Sequence, residues 1–265
     1  MKNYYKYLFL CIITVFSFYY VNKIIELSEK NNTLLVSINK YADENNYKCR
    51  EGSISEEGIV LGLSGLIVNM DKSYNNMKGL GFRKELIEYD EDKCILNKDN
   101  NLDKYIIKGN DYENNISLVV DVDNGKYFNK MIKLGENKNV EINVLMNYNM
   151  LKNNIDVIEN HSNILFKGNN DKELNNFISI LHNEFFCVKT NDFDVIDICK
   201  EKRLNSIKII DYIDSNLLSN TKKILDKGKI IFIKETKLNL DELSSTINYI
   251  ESRGYNIVNI NKLLS

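Results

Sequence analysis

Two carboxylates, Asp121 and Asp123, close the apolar run ISLVVDVDNG at residues 116–125. Ile116, Leu118, Val119 and Val120 have the composition of a buried strand, and Asn124-Gly125 is a turn that releases the chain into an amphipathic segment. Acidic side chains at the carboxyl end of such a strand occupy the place where α/β folds put their chemistry. Metal-assisted hydrolysis there needs both an ion that lowers the pKa of water and a placed base. A zinc site would have to join Asp121 or Asp123 to His161 and another distant donor, since the chain has only two histidines. The other, His182, lies one residue beyond a core-facing Leu181 and reads as a boundary residue. The plainer reading is a carboxylate pair that caps the following turn and interacts with Lys126. Cys49, Cys94, Cys187 and Cys199 have neither zinc-site spacing nor the density of a disulfide framework; two disulfides and buried free thiols both remain open.

The elements that would position these residues alternate along the chain. Segment 127–136 places Phe128, Met131, Ile132 and Leu134 on one helical face, and residues 139–147 carry strand alternation. A short strand at 164–166 precedes a helix capped by Asp171 and running through Leu174, Phe177, Ile178 and Leu181. Further strands are expected at 186–188 and 206–210, with helices at about 192–202 and 216–226. The closing unit has a strand at 229–233, ending next to Lys234, and a helix at 240–252. Asn239 and Glu242 form a capping box across that helix start, Gly254 stops it, and a last strand follows at 256–260. Repeated strand and helix units imply a parallel sheet or barrel with helices outside.

At 265 residues and 43% hydrophobic, the chain can bury one large core with appendages. A net charge of -2, with both signs mixed along the chain, excludes a nucleic-acid surface. Residues 7–21 carry no charge and are flanked by Lys2, Lys6 and Lys23, so residues 1–22 read as an uncleaved signal anchor with the remainder outside the cell. Residues 23–57 read as a juxtamembrane stalk. Residues 58–112 read as a small leader region, in which Asp71 caps a short helix carrying Tyr74 and Met77 in a small core. Residues 113–265 form the main domain.

The segment GKIIFIKETKLNLDELSSTINYIESRGYNIVNINKLLS resembles the end of the polysaccharide deacetylase family, which includes chitin and peptidoglycan deacetylases. ISLVVDVDNG falls where that family carries Leu-Thr-Phe-Asp-Asp-Gly, and VEINVLM where it often has Lys-Ala-Thr-Phe-Phe. SYNNM and IIKGN resemble the leader of clostridial, membrane-anchored members, so the resemblance runs over residues 58–265. It implies the family's irregular (β/α) barrel, preceded by the anchor and the leader packed on the barrel.

The same resemblance implies a damaged site. Asp121 falls on the family's general base, Val122 on the metal-binding aspartate and Asp123 on the glycine; the alternative register brings in Asp123 but puts Asn124 at the metal position. In ENHSNILFKGN, His161 takes a non-ligand position, with Phe166 and Asn170 where the two zinc histidines would fall. FCVKTN at 186–191 stands for an Arg-Pro-Pro-aromatic-Gly segment, and Lys234 for the late catalytic histidine. A lysine with an ordinary pKa near 10.4 is a poor proton shuttle at neutral pH. The expectation is therefore a catalytically inactive envelope protein without metal or other cofactor, held to the membrane by its first helix and binding cell-wall glycan or a protein partner. One alternative is an active deacetylase with Asp121 as base, Lys234 stabilising the oxyanion and a weakly held zinc. Another is an envelope scaffold with no saccharide ligand.

Overall fold

The structure, a computed structural model, describes residues 2–30, 33–158, 164–168, 170–181, 185–190 and 194–265, without the side chains of 2–4, 26, 27, 29 and 30. His161 and His182 lie outside the described residues. In chain order come α1 (Lys2–Lys30), α2 (Thr33–Asn45), β1 (Ser53–Ile54), β2 (Ile59–Val60), β3 (Gly65–Val68), α3 (Met70–Met77) and β4 (Tyr89–Asp92). They are followed by β5 (Tyr105–Lys108), β6 (Asn115–Asp121), α4 (Phe128–Asn137), β7 (Asn143–Met146), α5 (Tyr148–Asn153), α6 (Ile155–Ile158) and β8 (Ile164–Phe166). Next are α7 (Asp171–Ile180), β9 (Phe186–Lys189), α8 (Ile196–Glu201), β10 (Ser206–Lys208), β11 (Asp211–Ile213) and α9 (Leu217–Ile224). The last elements are β12 (Ile230–Lys234), α10 (Lys237–Ser252), β13 (Asn256–Ile257) and α11 (Ile260–Leu263).

The chain divides into two compact units, Met1–Lys48 with Gly65–Asp92, and Cys49–Ser64 with Lys93–Ser265. The division cuts through the span expected to be a leader: β2 and β5 pair with each other and, through β10, join the main sheet. In the first unit, α1 contains a stretch, Tyr5–Ile25, long and apolar enough to cross a membrane and wholly unburied. The antiparallel hairpin β3–β4 and α2 enclose a small core of Ile38, Ala42, Val68 and Met77, with Tyr74 packed against it. The cap of α3 is Asn69, whose side chain accepts from the Lys72 N–H, so the expected cap Asp71 sits in the first turn instead.

In the second unit the strands run in the order β1-β2-β5-β10-β9-β8-β7-β6-β12-β11, with β13 added beside β6. From β5 to β12 the pairings are parallel, as short strands separated by helices require. The single strand expected at 206–210 is two strands separated by Ile209 and Ile210: β10 pairs with β9, and β11 pairs with β12. Residues 206–213 therefore run from a strand inside the sheet, β10 between β5 and β9, to β11 at the edge beside β12, and the sheet curls as a half-barrel.

Period-two alternation gives this sheet two faces. Leu118, Val120, Phe166, Ile231 and Ile233 share a core with Phe128, Met131, Leu174, Phe177, Leu243 and Ile247 of the helices. Val119, Leu145, Leu165, Phe186 and Phe232 form a separate cluster on the opposite, inner face, with Ile260 and Leu263 of α11. Two buried polar residues near the amino ends of the strands, Ser117 and Asn143, are satisfied. Ser117 Oγ donates to the Val258 carbonyl at 2.6 Å, and Asn143 donates to the Leu118 carbonyl while accepting from the Ile260 N–H, each at 2.9 Å. The open question about the cysteines resolves as disulfides Cys49–Cys94 and Cys187–Cys199, the latter tying β9 to α8.

Candidate functional site

The same alternation decides which residues reach the carboxyl end of the barrel. Asp121 follows Val119 on the inner face, Lys167 follows Leu165, Lys234 follows Phe232, and Tyr212 precedes Ile213, which packs with the outer helices. These four side chains line one open cleft of about 520 Å³, together with Asp214 and Thr190. The cleft thus brings together both candidates, Asp121 and Lys234.

Asp121 is 5% exposed, and both its oxygens are engaged. Lys167 Nζ donates to Oδ1 at 2.7 Å and to Oδ2 at 2.9 Å, and the Tyr212 hydroxyl donates to Oδ2 at 2.9 Å. Burial, and then the adjacent Asp121 charge, push the Tyr212 phenol well above its ordinary pKa, so Tyr212 stays a donor. Lys234 does not touch this pair: its Nζ lies 3.4 Å from Asp214 Oδ1 in a partly exposed ion pair.

Three of the residues placed on the site by resemblance lie elsewhere. Val122 is buried on the helix-facing side, which period two imposes on the neighbour of Asp121. Phe166 is fully buried there too, its ring 4.9 Å from Phe177 and 6.5 Å from Phe185. Asn170 caps α7 by accepting from the Glu173 N–H, a role expected of Asp171. What reaches the cleft from β8 is the next residue, Lys167. The backbone behind it crosses so close to the Phe166 ring that a Cβ at Gly168 would sit 1.9 Å from it.

The expected capping of the β6 turn by Asp121 and Asp123 is also corrected. The buried Glu235, just beyond β12, holds that turn: Oε2 accepts the N–H groups of Asp123, Asn124 and Gly125 at 3.0–3.2 Å. Its Oε1 accepts those of Tyr127 and Phe128 at the start of α4. Asp123 is exposed, and the partner expected for it, Lys126, lies over the Tyr127 ring. Gly125 adopts φ +75°, as an Asn-Gly turn requires. The expected capping box on α10 is replaced as well, because the helix begins at Lys237 with Thr236 as its cap. Asn239 is then fully buried and donates to the carbonyls of Ile213, Asp214 and Lys234 at 2.9–3.4 Å, clamping the ends of β11 and β12, while Glu242 accepts the Leu218 N–H.

Sequence reasoning missed Lys167, Tyr212 and Glu235. Lys167 was legible as the residue two beyond the inward Leu165. Tyr212 was hidden by the break at Ile209 and Ile210, and Glu235 by having only distant backbone partners.

A catalytic divalent metal at Asp121 does not fit the described residues. An ammonium lies within 3 Å of both carboxylate oxygens, and the neighbouring metal position is an alkyl side chain in the core. Among the described residues one group of three donors has metal-site spacing, Cys49, Glu51 and Cys94, and its two sulfurs are bonded to each other.

This curled parallel sheet with its outer helices and carboxyl-end cleft is the fold of the CE4 family deacetylases. The wild-type BA3943 of Bacillus anthracis, a CE4 family pseudoenzyme, aligns over 89% of this chain and 96% of its own at 17% identity and a TM-score of 0.64. A mutant of that pseudoenzyme with restored enzymatic activity aligns over 88% and 98%, with the same identity and TM-score. The Bc1960 peptidoglycan N-acetylglucosamine deacetylase aligns over 60% of this chain and 92% of its own, at 14% identity and a TM-score of 0.53. No family model and no curated protein sequence matches the chain.

Proposed function

We propose that this chain is a membrane-anchored, extracytoplasmic protein that binds cell-wall glycan in a deacetylase-type cleft and does not hydrolyse it. The observation that carries this reading is the state of Asp121: both oxygens are bonded to Lys167 and Tyr212, and its neighbour Val122 is buried against the helices. A general base must offer an oxygen to water, and here a single ammonium bridges both oxygens while a phenol holds the second. The cleft itself suits a saccharide, since it offers an aromatic ring, ammonium donors and carboxylate acceptors in one open groove. The apolar stretch of α1 supports the anchor, and two disulfides in the second unit support an oxidising compartment.

The active-enzyme reading has one observation in its favour, that Asp121 and Lys234 line the same cleft. The test uses the full chain purified in detergent micelles, incubated with acetylated and de-acetylated peptidoglycan fragments and chitin oligomers. The expected result is glycan retention without acetate release. Acetate release abolished by Asp121→Asn would replace the binding reading with the enzyme, and absence of both retention and release would leave the scaffold.

A further inference from the structure

We infer that Lys167 is the resident cation of the cleft: its ammonium occupies the position beside Asp121 where a divalent metal would otherwise be held, and so keeps the site metal-free. Asp121 is a carboxylate with its side chain 6% exposed, and a charge so placed needs a counter-charge and hydrogen bonds on both oxygens. The chain supplies them internally. Lys167 bridges both oxygens at 2.7 and 2.9 Å, as a single cation bound in bidentate fashion does, and the Tyr212 hydroxyl adds a second bond to Oδ2 at 2.9 Å.

The placement of that ammonium is built into the strand. Phe166 is anchored in the aromatic cluster with Phe177 and Phe185, and the missing side chain at Gly168 lets the backbone fold over its ring. The residue between them is thereby turned to the inner face, directly at Asp121. The other charged groups lining the cleft do not compete for the position. Lys234 is paired with Asp214, Lys189 lies 3.6 Å from Asp194 and over the Tyr105 ring, and Lys208 lies 3.8 Å from Glu57. A metal approaching Asp121 would have to displace Lys167, the cation already bonded to both its oxygens, before it could draw on the cleft's other carboxylate, Asp214.

The inference does not depend on what the cleft binds, so failure of glycan binding leaves it standing. Its test measures zinc and manganese uptake, and thermal unfolding with and without each metal, for the full-length wild type, Lys167→Met, Asp121→Asn and the double variant. The wild type is expected to take up no metal that Asp121→Asn removes. Lys167→Met is expected to melt several degrees lower, to lose less when Asp121→Asn is added than the two single changes predict, and to be stabilised by added metal only while Asp121 is present. Should Lys167→Met alone fail to fold, recovery of folding in the double variant reads the same coupling. Metal uptake by the wild type at Asp121, additive single effects, a double variant that also fails to fold, or a Lys167→Met protein as indifferent to metal as the wild type would each overturn the assignment.

Discussion

Asp121 and Glu235 are buried carboxylates at the carboxyl ends of adjacent strands, and they are satisfied in opposite ways. Glu235 is surrounded by backbone: five N–H groups from residues 123–128 converge on it, all fixed by the turn and by the first residues of α4. Asp121 is surrounded by side chains, an ammonium and a phenol, each carried by a different strand and each facing the cleft. A carboxylate held by backbone amides is part of the frame, because its partners cannot be exchanged without refolding the turn. One held by side chains is the place where substitution changes chemistry without changing the fold. The two positions differ by a single step past the end of neighbouring strands, and that step separates architecture from site.

The largest test of the contrast is Glu235→Ala. Five amides lose a charged acceptor in a partly buried turn, and the expected loss is about 3–5 kcal/mol by chemical denaturation, with faster hydrogen exchange confined to residues 123–128. A loss below about 1 kcal/mol would show that water replaces the carboxylate and that the turn is not held as described. Next in size is Asn239→Ala, which frees the Ile213, Asp214 and Lys234 carbonyls from their clamp. It should cost about 2 kcal/mol and loosen the ends of β11 and β12 while leaving the β6 turn protected from exchange. If the turn loosened equally, the frame and the cleft would be one cooperative unit and the contrast would fail.

The smallest expected effect is Tyr212→Phe, at about 1 kcal/mol for one hydrogen bond to a charged group that keeps its ammonium partner. Its signature lies in pH. The folded-state phenol is raised above its unfolded value of about 10, so its contribution is complete below that pH and is lost as pH rises toward the folded value. Wild type should therefore lose stability faster than the phenylalanine variant above about pH 10, and parallel curves would show that Tyr212 is not coupled to Asp121.

Much of the scaffold was legible because its signals are local. The run 116–120, the amphipathic faces of α4, α7 and α10, and the alternation of strand and helix follow from apolar spacing, and they are enough for a curled parallel sheet. The caps were harder to read. Asn69, Asn170 and Thr236 each stand one or more residues before the expected cap, because several polar residues in a row can start a helix and packing selects among them. The site was legible only in part. Asp121 and Lys234 end their strands on the side that period two assigns to the cleft. The motif positions misled at Phe166, where the side chain two residues after an outward Ile164 must itself point outward.

The sequence by itself determined the alternation of elements, the face each strand residue occupies and the absence of an adjacent carboxylate pair at the end of β6. These depend on residue type and spacing alone. The tertiary structure decided that Lys167 and Tyr212 close on Asp121, that Glu235 rather than Asp123 holds the turn, and that residues 206–213 split into two strands with different partners. Each of these brings together groups from 46 to 112 positions apart or from separate strands. Such partners are fixed by the order and register of the sheet, which no local pattern contains.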